Sequence, residues 1–327
     1  MTALPLAHYI HNLQPEIFKI TDTFGPKWYG LAYVAGFFCA YLLMVWMAKR
    51  KIGPLEQSQV GDFIFGAALF GVMLGGRIGY VLFYRPDILT EDPLGIFKVW
   101  DGGMASHGGV IGLMIFTFVY SRMKNISWTA LGDNLVVVAP IGILFGRIAN
   151  FINGELYGHP TTVSWAVKFP AEFINGELGP VATRGIFDVA NSMAPQIFTP
   201  DRRIDIPAFL DQMHTNDAFR QAVGEFLTPR HPSQLYEGAL EGLVLFGILF
   251  AVRVIWRNAP NGLLTSLFFI CYAIFRIIVE HFRVPDAELI MGLTRGQFYS
   301  VPMLLVGLGF LVFSFTQRKA ATQGNTN

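Results

Sequence analysis

Seven apolar runs of about twenty residues constrain this chain more than any other feature. They fall at 28–48, 60–84, 104–122, 130–153, 237–256, 261–281 and 297–316, and the first and last hold no charged residue. Runs of that length match the hydrocarbon core of a bilayer, about 30 Å thick. Inside lipid every backbone amide and carbonyl must be satisfied internally, which an α-helix does alone. Composition agrees. Of the 327 residues 53% are hydrophobic and 14% charged, with a mean hydropathy of +0.44, against about 25% charged in soluble domains. One water-soluble core does not hide that much apolar surface. The sequence therefore predicts an all-α polytopic membrane protein with about seven transmembrane helices. A formal net charge of +1 supplies no basic footprint, so no nucleic-acid partner is expected. The two cysteines, Cys39 and Cys271, sit inside apolar runs and read as small buried residues; they exclude a disulfide framework and a four-cysteine zinc site.

Loop charge sets the expected orientation. Lys49, Arg50, Lys51, Arg122, Lys124, Arg257, Arg318 and Lys319 follow alternate runs, while the opposite loops mix in Asp22, Asp87, Glu91, Asp92, Asp101, Asp286 and Glu288. By the positive-inside rule the N-terminus lies outside and the C-terminus in the cytoplasm. The first 27 residues lack the basic-then-apolar order of a cleaved signal peptide. Residues 155–230, between the fourth and fifth runs, are too long for a plain connection and too regularly apolar for a disordered linker. They predict a small extracytoplasmic head of mixed structure. The expected organisation is an outer segment 1–27, helices one to four over 28–154, the head over 155–230, helices five to seven over 231–319 and a cytoplasmic tail over 320–327. Glycines at 71, 75, 76 and 79 and at 108, 109 and 112 suit close helix–helix approach in lipid.

On that scheme the intramembrane polar residues share one depth. Arg77, Arg147, Arg276 and Glu280 lie near outer helix ends, and Tyr29, His107, His231, Gln234, Tyr236, Glu237 and Gln297 near outer helix starts. An arginine at a helix centre costs about 2.5–3.5 kcal/mol on insertion scales, so several at one level require interior partners or an anionic ligand. A polar cavity open to the outer leaflet follows. Each residue also has a structural reading. Arg77 could snorkel or lock the bundle, Arg276 and Glu280 stand four apart and could neutralise each other, His107 could be a helix-start histidine and Tyr29 part of an aromatic belt. His159 and His214 read as surface residues. Arg147 is the strongest site residue, because the run from Gly146 to Gly158 adds Asn150, Asn153 and Glu155 at the lipid–water boundary.

Guanidinium groups match phosphate oxygens bidentately, so an anionic lipid headgroup is the natural ligand. Few clustered carboxylates and no metal constellation are expected. Asp101 to Ser106 resembles the start of an aspartate motif of metal-dependent lipid phosphotransferases, but the later aspartates are missing; zinc His-Glu-x-x-His and Gly-x-Ser-x-Gly motifs are absent too. A lipid or phosphate transporter and a membrane chaperone are the rival classes. No repeat relates the two halves, and the polar residues do not sit at the midplane, as a transporter would place them.

The chain resembles the prolipoprotein diacylglyceryl transferase family. The unbroken run Gly146–Gly158 carries the resemblance, with Trp28-Tyr29-Gly30, Gly75 to Tyr80, Gly102 to Gly109, His231 to Glu237, Tyr272 to Glu280 and Arg283. It covers nearly the whole chain and is weakest over 161–228. Ala105-Ser106 departs from the Ser-Phe of some relatives. The resemblance implies a seven-helix fold with a periplasmic head in the bacterial inner membrane. It implies transfer of diacylglyceryl from phosphatidylglycerol to the lipobox cysteine of a prolipoprotein signal peptide, with glycerol 1-phosphate released and no cofactor or metal. By position it implies essential roles for Arg147 and Arg276, and important ones for His107, Tyr29, Asn150 and Gly158. The expected catalytic set is Tyr29, His107, Arg147 and Arg276. The expected substrate-binding set is Arg77, Tyr80, Arg147, Asn150, Asn153, Glu155 and Gly158, together with His231, Gln234, Tyr272, Glu280 and Arg283. His107 is the expected base, since imidazole with an unperturbed pKa of about 6.5 is mostly neutral at pH 7.

Overall fold

A computed structural model of the chain describes residues 8–18, 25–98, 102–285 and 288–324. Asp22, Asp101 and Asp286, three acids of the orientation argument, lie outside the described residues. The apolar runs fold as helices: α1 (Trp28–Lys49), α2 (Gln57–Tyr84), α3 (Ser106–Met123) and α4 (Trp128–Asn153). Between α4 and the next run lie α5 (Pro180–Met193), α6 (Ile206–Thr215) and α7 (Asp217–Gly224). Then come α8 (Ser233–Ile255), α9 (Leu263–Glu280) and α10 (Arg295–Gly324). Six of these, α1, α2, α4, α8, α9 and α10, are long and apolar enough to cross a membrane, as in a multi-pass membrane protein. The remaining run, α3, is helical over 18 residues but is not among the six. Ser106, His107, the glycines that follow and Arg122 dilute its apolar character.

The chain divides into two compact units, one of Met1–Tyr33, Ile143–Glu241 and Ile274–Val301, the other of Val34–Gly142, Gly242–Ala273 and Pro302–Asn327. In the first, three two-residue strands make a mixed sheet: β1 (Tyr9–Ile10), β2 (Val167–Lys168) and β3 (Pro229–Arg230). β1 runs parallel to β2 with Tyr9 beside Val167, and β2 antiparallel to β3 with Val167 beside Arg230. The three head helices close over Ile186, Phe209, Met213, Phe219 and Val223, and Ile10 of β1 enters the same core. Asp205 and Asn216 cap α6 and α7 by accepting the amides of Ala208 and Phe219 at 2.9 and 3.1 Å. Residues 155–230 combine helices with two short strands, and the N-terminal segment supplies the third strand of the sheet.

In the second unit α2 and α3 meet along glycines. A Cβ added at Gly75 would lie 2.8 Å from the Gly112 Cα, and one at Gly79 or Gly108 would strike the facing backbone. Only hydrogen at those positions lets the two backbones touch. At the other end of the unit Asp133 of α4 accepts from the amides of Gly262 and Thr265 at 2.8 Å and from Thr265 Oγ1 at 2.7 Å. It thereby satisfies amides that the start of α9 leaves without helical partners.

Candidate active site

Arg147 lies in the last two turns of α4. Its Nε is 2.7 Å from Glu237 Oε2, whereas its Nη1 makes only a 3.4 Å bond to Asn150 Oδ1 and its Nη2 stands 3.6 Å from Glu241. Glu237 is 1% exposed and collects two further arginines on its other oxygen, Arg276 Nη1 at 3.0 Å and Arg283 Nη1 at 2.7 Å. Arg276 Nη2 meets Glu280 Oε2 at 3.1 Å, the pairing that a four-residue spacing on α9 allows. Three guanidinium and three carboxylate groups thus form one mostly buried cluster inside the first unit. Glu241 is the exception within it. Among the described residues neither of its oxygens accepts a hydrogen bond, and Arg147 and Arg276 stand at 3.6 Å. Glu241 lies where α8 loosens into π-helical turns over Gly238–Val244, and Glu237 is the residue just before them; such a distortion is common at functional sites.

The signature run builds the rim of this cluster. Asn150 Nδ2 donates to Glu155 Oε1 at 2.7 Å, Asn153 Nδ2 reaches the same oxygen at 3.4 Å and Gln234 Nε2 donates to the Glu155 carbonyl at 2.5 Å. The side-chain oxygens of Asn153 and Gln234 are buried without a donor among the described residues. Gly158 donates its amide to the His231 carbonyl at 2.8 Å, and His159 donates to the Phe282 carbonyl at 2.9 Å. A Cβ at Gly158 would strike the Phe282 oxygen and the His231 backbone and side chain. No larger residue lets those three segments close and hold Arg283 on Glu237. His231 Nδ1 lies 3.1 Å from Tyr236 Oη, which accepts from Trp165 Nε1 at 2.7 Å. Burial lowers the His231 pKa, so its ring is neutral at pH 7.

The structure therefore brings together Arg147, Asn150, Asn153, Glu155, Gly158, His231, Gln234, Arg276, Glu280 and Arg283. Tyr29 belongs to the same unit, where its ring meets that of Tyr33 at 5.4 Å. Arg77, Tyr80, His107 and Tyr272 belong to the second unit. There Arg77 is 3% exposed and donates to backbone carbonyls: Nη2 to Gly95 at 2.6 Å, Nε to Ile96 at 3.3 Å and Nη1 to Gly102 and Gly103. Gly102 and Gly103 both adopt positive φ, near +77° and +76°, which aims successive carbonyls at it. These bonds tie α2 to the loop that precedes α3. Tyr80 stacks on Tyr84 at 6.0 Å and Tyr272 on Phe268 at 5.8 Å; His107 is exposed at the start of α3.

Comparison with known proteins decides the family. The prolipoprotein diacylglyceryl transferase model matches residues 15–313. A phosphatidylglycerol–prolipoprotein diacylglyceryl transferase of Bdellovibrio bacteriovorus is 41% identical, the match covering 93% of each chain. Those of Proteus mirabilis and Erythrobacter litoralis are each 37% identical, covering 95% and 91% of this chain and 97% and 89% of theirs. The chain belongs to the prolipoprotein diacylglyceryl transferase family.

Membership makes the protein a transferase. For a diacylglyceryl transferase the carboxylates correct the sequence reading, which expected few of them together. Glu237 was placed at a helix start but given no site role, and Glu241 was not singled out. Their signal was present: two acids four apart inside an otherwise apolar run. A second ionic group was also missed. Arg230 donates to Glu172 Oε1 at 2.7 Å, stands 3.6 Å from Glu177 and lies 5.1 Å over the Tyr157 ring, tying the sheet to the signature run. Burial, and then hydrogen bonding to Glu177, raise the Tyr157 pKa, so the phenol stays protonated. Among the described residues no three His, Cys, Asp or Glu are grouped to hold a metal.

Proposed function

We propose that this transferase moves the diacylglyceryl group of phosphatidylglycerol onto the thiol of a prolipoprotein's lipobox cysteine. One observation carries the reading: Arg147 pairs through Nε with Glu237 at 2.7 Å, while among the described residues the polar partners of its two terminal nitrogens stand at 3.4 and 3.6 Å. A guanidinium fixed by one edge presents the other, in the geometry that suits phosphate. The thiolate sulfur attacks the saturated glycerol carbon that bears the phosphate oxygen. A carbon–sulfur bond forms, the carbon–oxygen bond breaks with its electrons passing to that oxygen, and glycerol 1-phosphate leaves. Negative charge grows on the leaving oxygen, so Arg147 and Arg276 stabilise the transition state more than the ground state. The donor-less oxygens of Asn153 and Gln234 are acceptors for the hydroxyls of the headgroup glycerol. A thiol of pKa about 8.5 is mostly protonated at pH 7, and His107 is proposed as the base that takes its proton. That role rests on residue type and family resemblance, as do those of Tyr29, Arg77, Tyr80 and Tyr272.

We propose further that α3 crosses the membrane with the other six helices and that the chain resides in the bacterial inner membrane. The N-terminus and the 155–230 head then face outward and the tail inward, as the basic residues after α1, α3 and α8 support. The test is reconstitution of the purified protein with phosphatidylglycerol and a lipobox peptide. The expected products are a thioether-linked diacylglyceryl peptide and glycerol phosphate in equal amounts. Lipid translocation or peptide binding without those products overturns the proposal.

A further inference from the structure

The turn between α3 and α4 holds a feature that transfer chemistry does not use. A cavity of about 340 Å³ is lined by Phe118, Ser121, Arg122, Asn125, Ser127 and Trp128. A second hollow of about 420 Å³ is lined by Trp128, Thr129, Val306, Gly309, Phe310 and Phe313. All these residues belong to the second unit. Both volumes fall in the ligand-pocket range of about 300–1,000 Å³. The first is polar, the second apolar, and Trp128 lines both.

The side chains at the junction are held in place. Trp128 Nε1 donates to Thr117 Oγ1 at 3.1 Å, its ring meets Phe118 edge-on at 5.7 Å, and the Arg122 guanidinium lies 5.0 Å over that same Phe118 ring. Ser127 Oγ accepts from the Ala130 amide at 3.4 Å at the start of α4. Lys124 adds a second cation one residue from the turn, and no carboxylate lines either hollow among the described residues. A polar, cationic pocket that shares a wall with an apolar groove has the pattern of one amphiphile. The groove belongs to helices apolar enough to span lipid.

We propose that this turn binds an anionic phospholipid, its phosphate at Arg122 and an acyl chain in the groove along α10. Trp128 precedes Arg147 by nineteen positions on α4, so this lipid is not the one the arginine cluster would take, and the site does not depend on the transfer reaction.

The test uses the full chain in nanodiscs with a phosphatidic acid carrying a diazirine in its acyl chain, and a matched phosphatidylcholine probe. Adducts are mapped by peptide mass spectrometry. Concentration of the phosphatidic acid adducts on peptides holding Trp128 and residues 306–313, above other lipid-facing peptides, supports the site. Gly309→Leu fills the groove without strain, because a Cβ there meets nothing within 4 Å. It should remove most of those adducts and leave labelling elsewhere and the thermal unfolding midpoint unchanged. Arg122→Gln should lower phosphatidic acid labelling roughly tenfold, the scale of one charge-assisted contact, without changing phosphatidylcholine labelling. Uniform labelling over the helices, equal labelling by both probes, or indifference to Gly309→Leu overturns the proposal.

Discussion

Replacing Glu237 by glutamine separates a carboxylate that organises the arginine cluster from one that merely accompanies it. The side chain is 1% exposed and meets Arg147 at 2.7 Å, Arg276 at 3.0 Å and Arg283 at 2.7 Å. Removing one partner of a buried ion pair costs about 3–5 kcal/mol, because the remaining charge stays buried without compensation. Glu280 still lies 3.1 Å from Arg276, and Glu241 3.6 Å from Arg147 and Arg276, so the low end of that range applies. A loss of about 3 kcal/mol lowers the unfolding midpoint by roughly 6–12 °C at about 2–4 °C per kcal/mol. Glu241→Gln is the control: among the described residues its oxygens accept no hydrogen bond and its arginine neighbours stand at 3.6 Å, so its cost should be the smaller of the two. Combining Glu237→Gln with Arg283→Gln should cost less than the two changes summed, with a coupling of about 1–3 kcal/mol. Thermal unfolding of the purified protein in nanodiscs reads all four midpoints. Equal shifts for Glu237→Gln and Glu241→Gln would refute the idea that Glu237 holds the arginines in place.

Arg147→Ala and Arg276→Ala should each lower diacylglyceryl transfer by at least about 10²-fold, the usual cost of a lost oxyanion donor, while membrane insertion persists. Arg147→Lys should recover little of it, since an ammonium cannot bond Glu237 and a phosphate along two edges. Gly158→Ala should lower stability by about 1–3 kcal/mol or more and transfer with it, through displacement of the Phe282 and His231 backbones; unchanged midpoints and rates would remove that glycine from the account. Burial pushes the His11 pKa down to about 4 from 6.5 in the folded protein. The unfolded chain then takes a proton first, and stability falls as pH drops from 6.5 towards 4, by up to about 3 kcal/mol. Unfolding midpoints between pH 4.5 and 7 should therefore slope less in His11→Gln than in the parent protein.

Six of the seven expected spans were legible because hydropathy reports the solvent directly, one residue at a time. The Arg147, Asn150 and Glu155 contacts were legible because they are local, three and five residues apart at one helix end. The convergence on Glu237 was not. It joins α4, the end of α9 and the segment after α9, and sequence spacing carries no information about such pairings. Arg77 was ambiguous for another reason: its partners are the carbonyls of Gly95, Ile96, Gly102 and Gly103, which every residue type supplies. The two-residue strands of the head have no period to read, so the pairing of Tyr9 with Val167 left no trace. The glycines of α2 and α3 were legible, since smallness is itself the property used.

The cluster is formally neutral when all six groups are ionised, which bears on how an anion enters it. In the proposed reaction a phosphodiester brings one negative charge and competes with the carboxylates for guanidinium donors. Arg147 shows where that exchange costs least: its Nε forms a 2.7 Å ion pair with Glu237, whereas its terminal nitrogens face Asn150 and Glu241 at 3.4 and 3.6 Å. Glu241→Gln leaves a net positive charge without disturbing the short bonds. Across about 6 Å at an effective dielectric near 20, one charge attracts a phosphate by about 3 kcal/mol before desolvation. Recovering half of that lowers the KM for phosphatidylglycerol roughly tenfold. Binding gained equally in ground and transition states leaves kcat unchanged. An unchanged or raised KM in Glu241→Gln would mean that this carboxylate does not compete with the phosphate, and that the anion is held by donors other than the Nη atoms of Arg147 and Arg276.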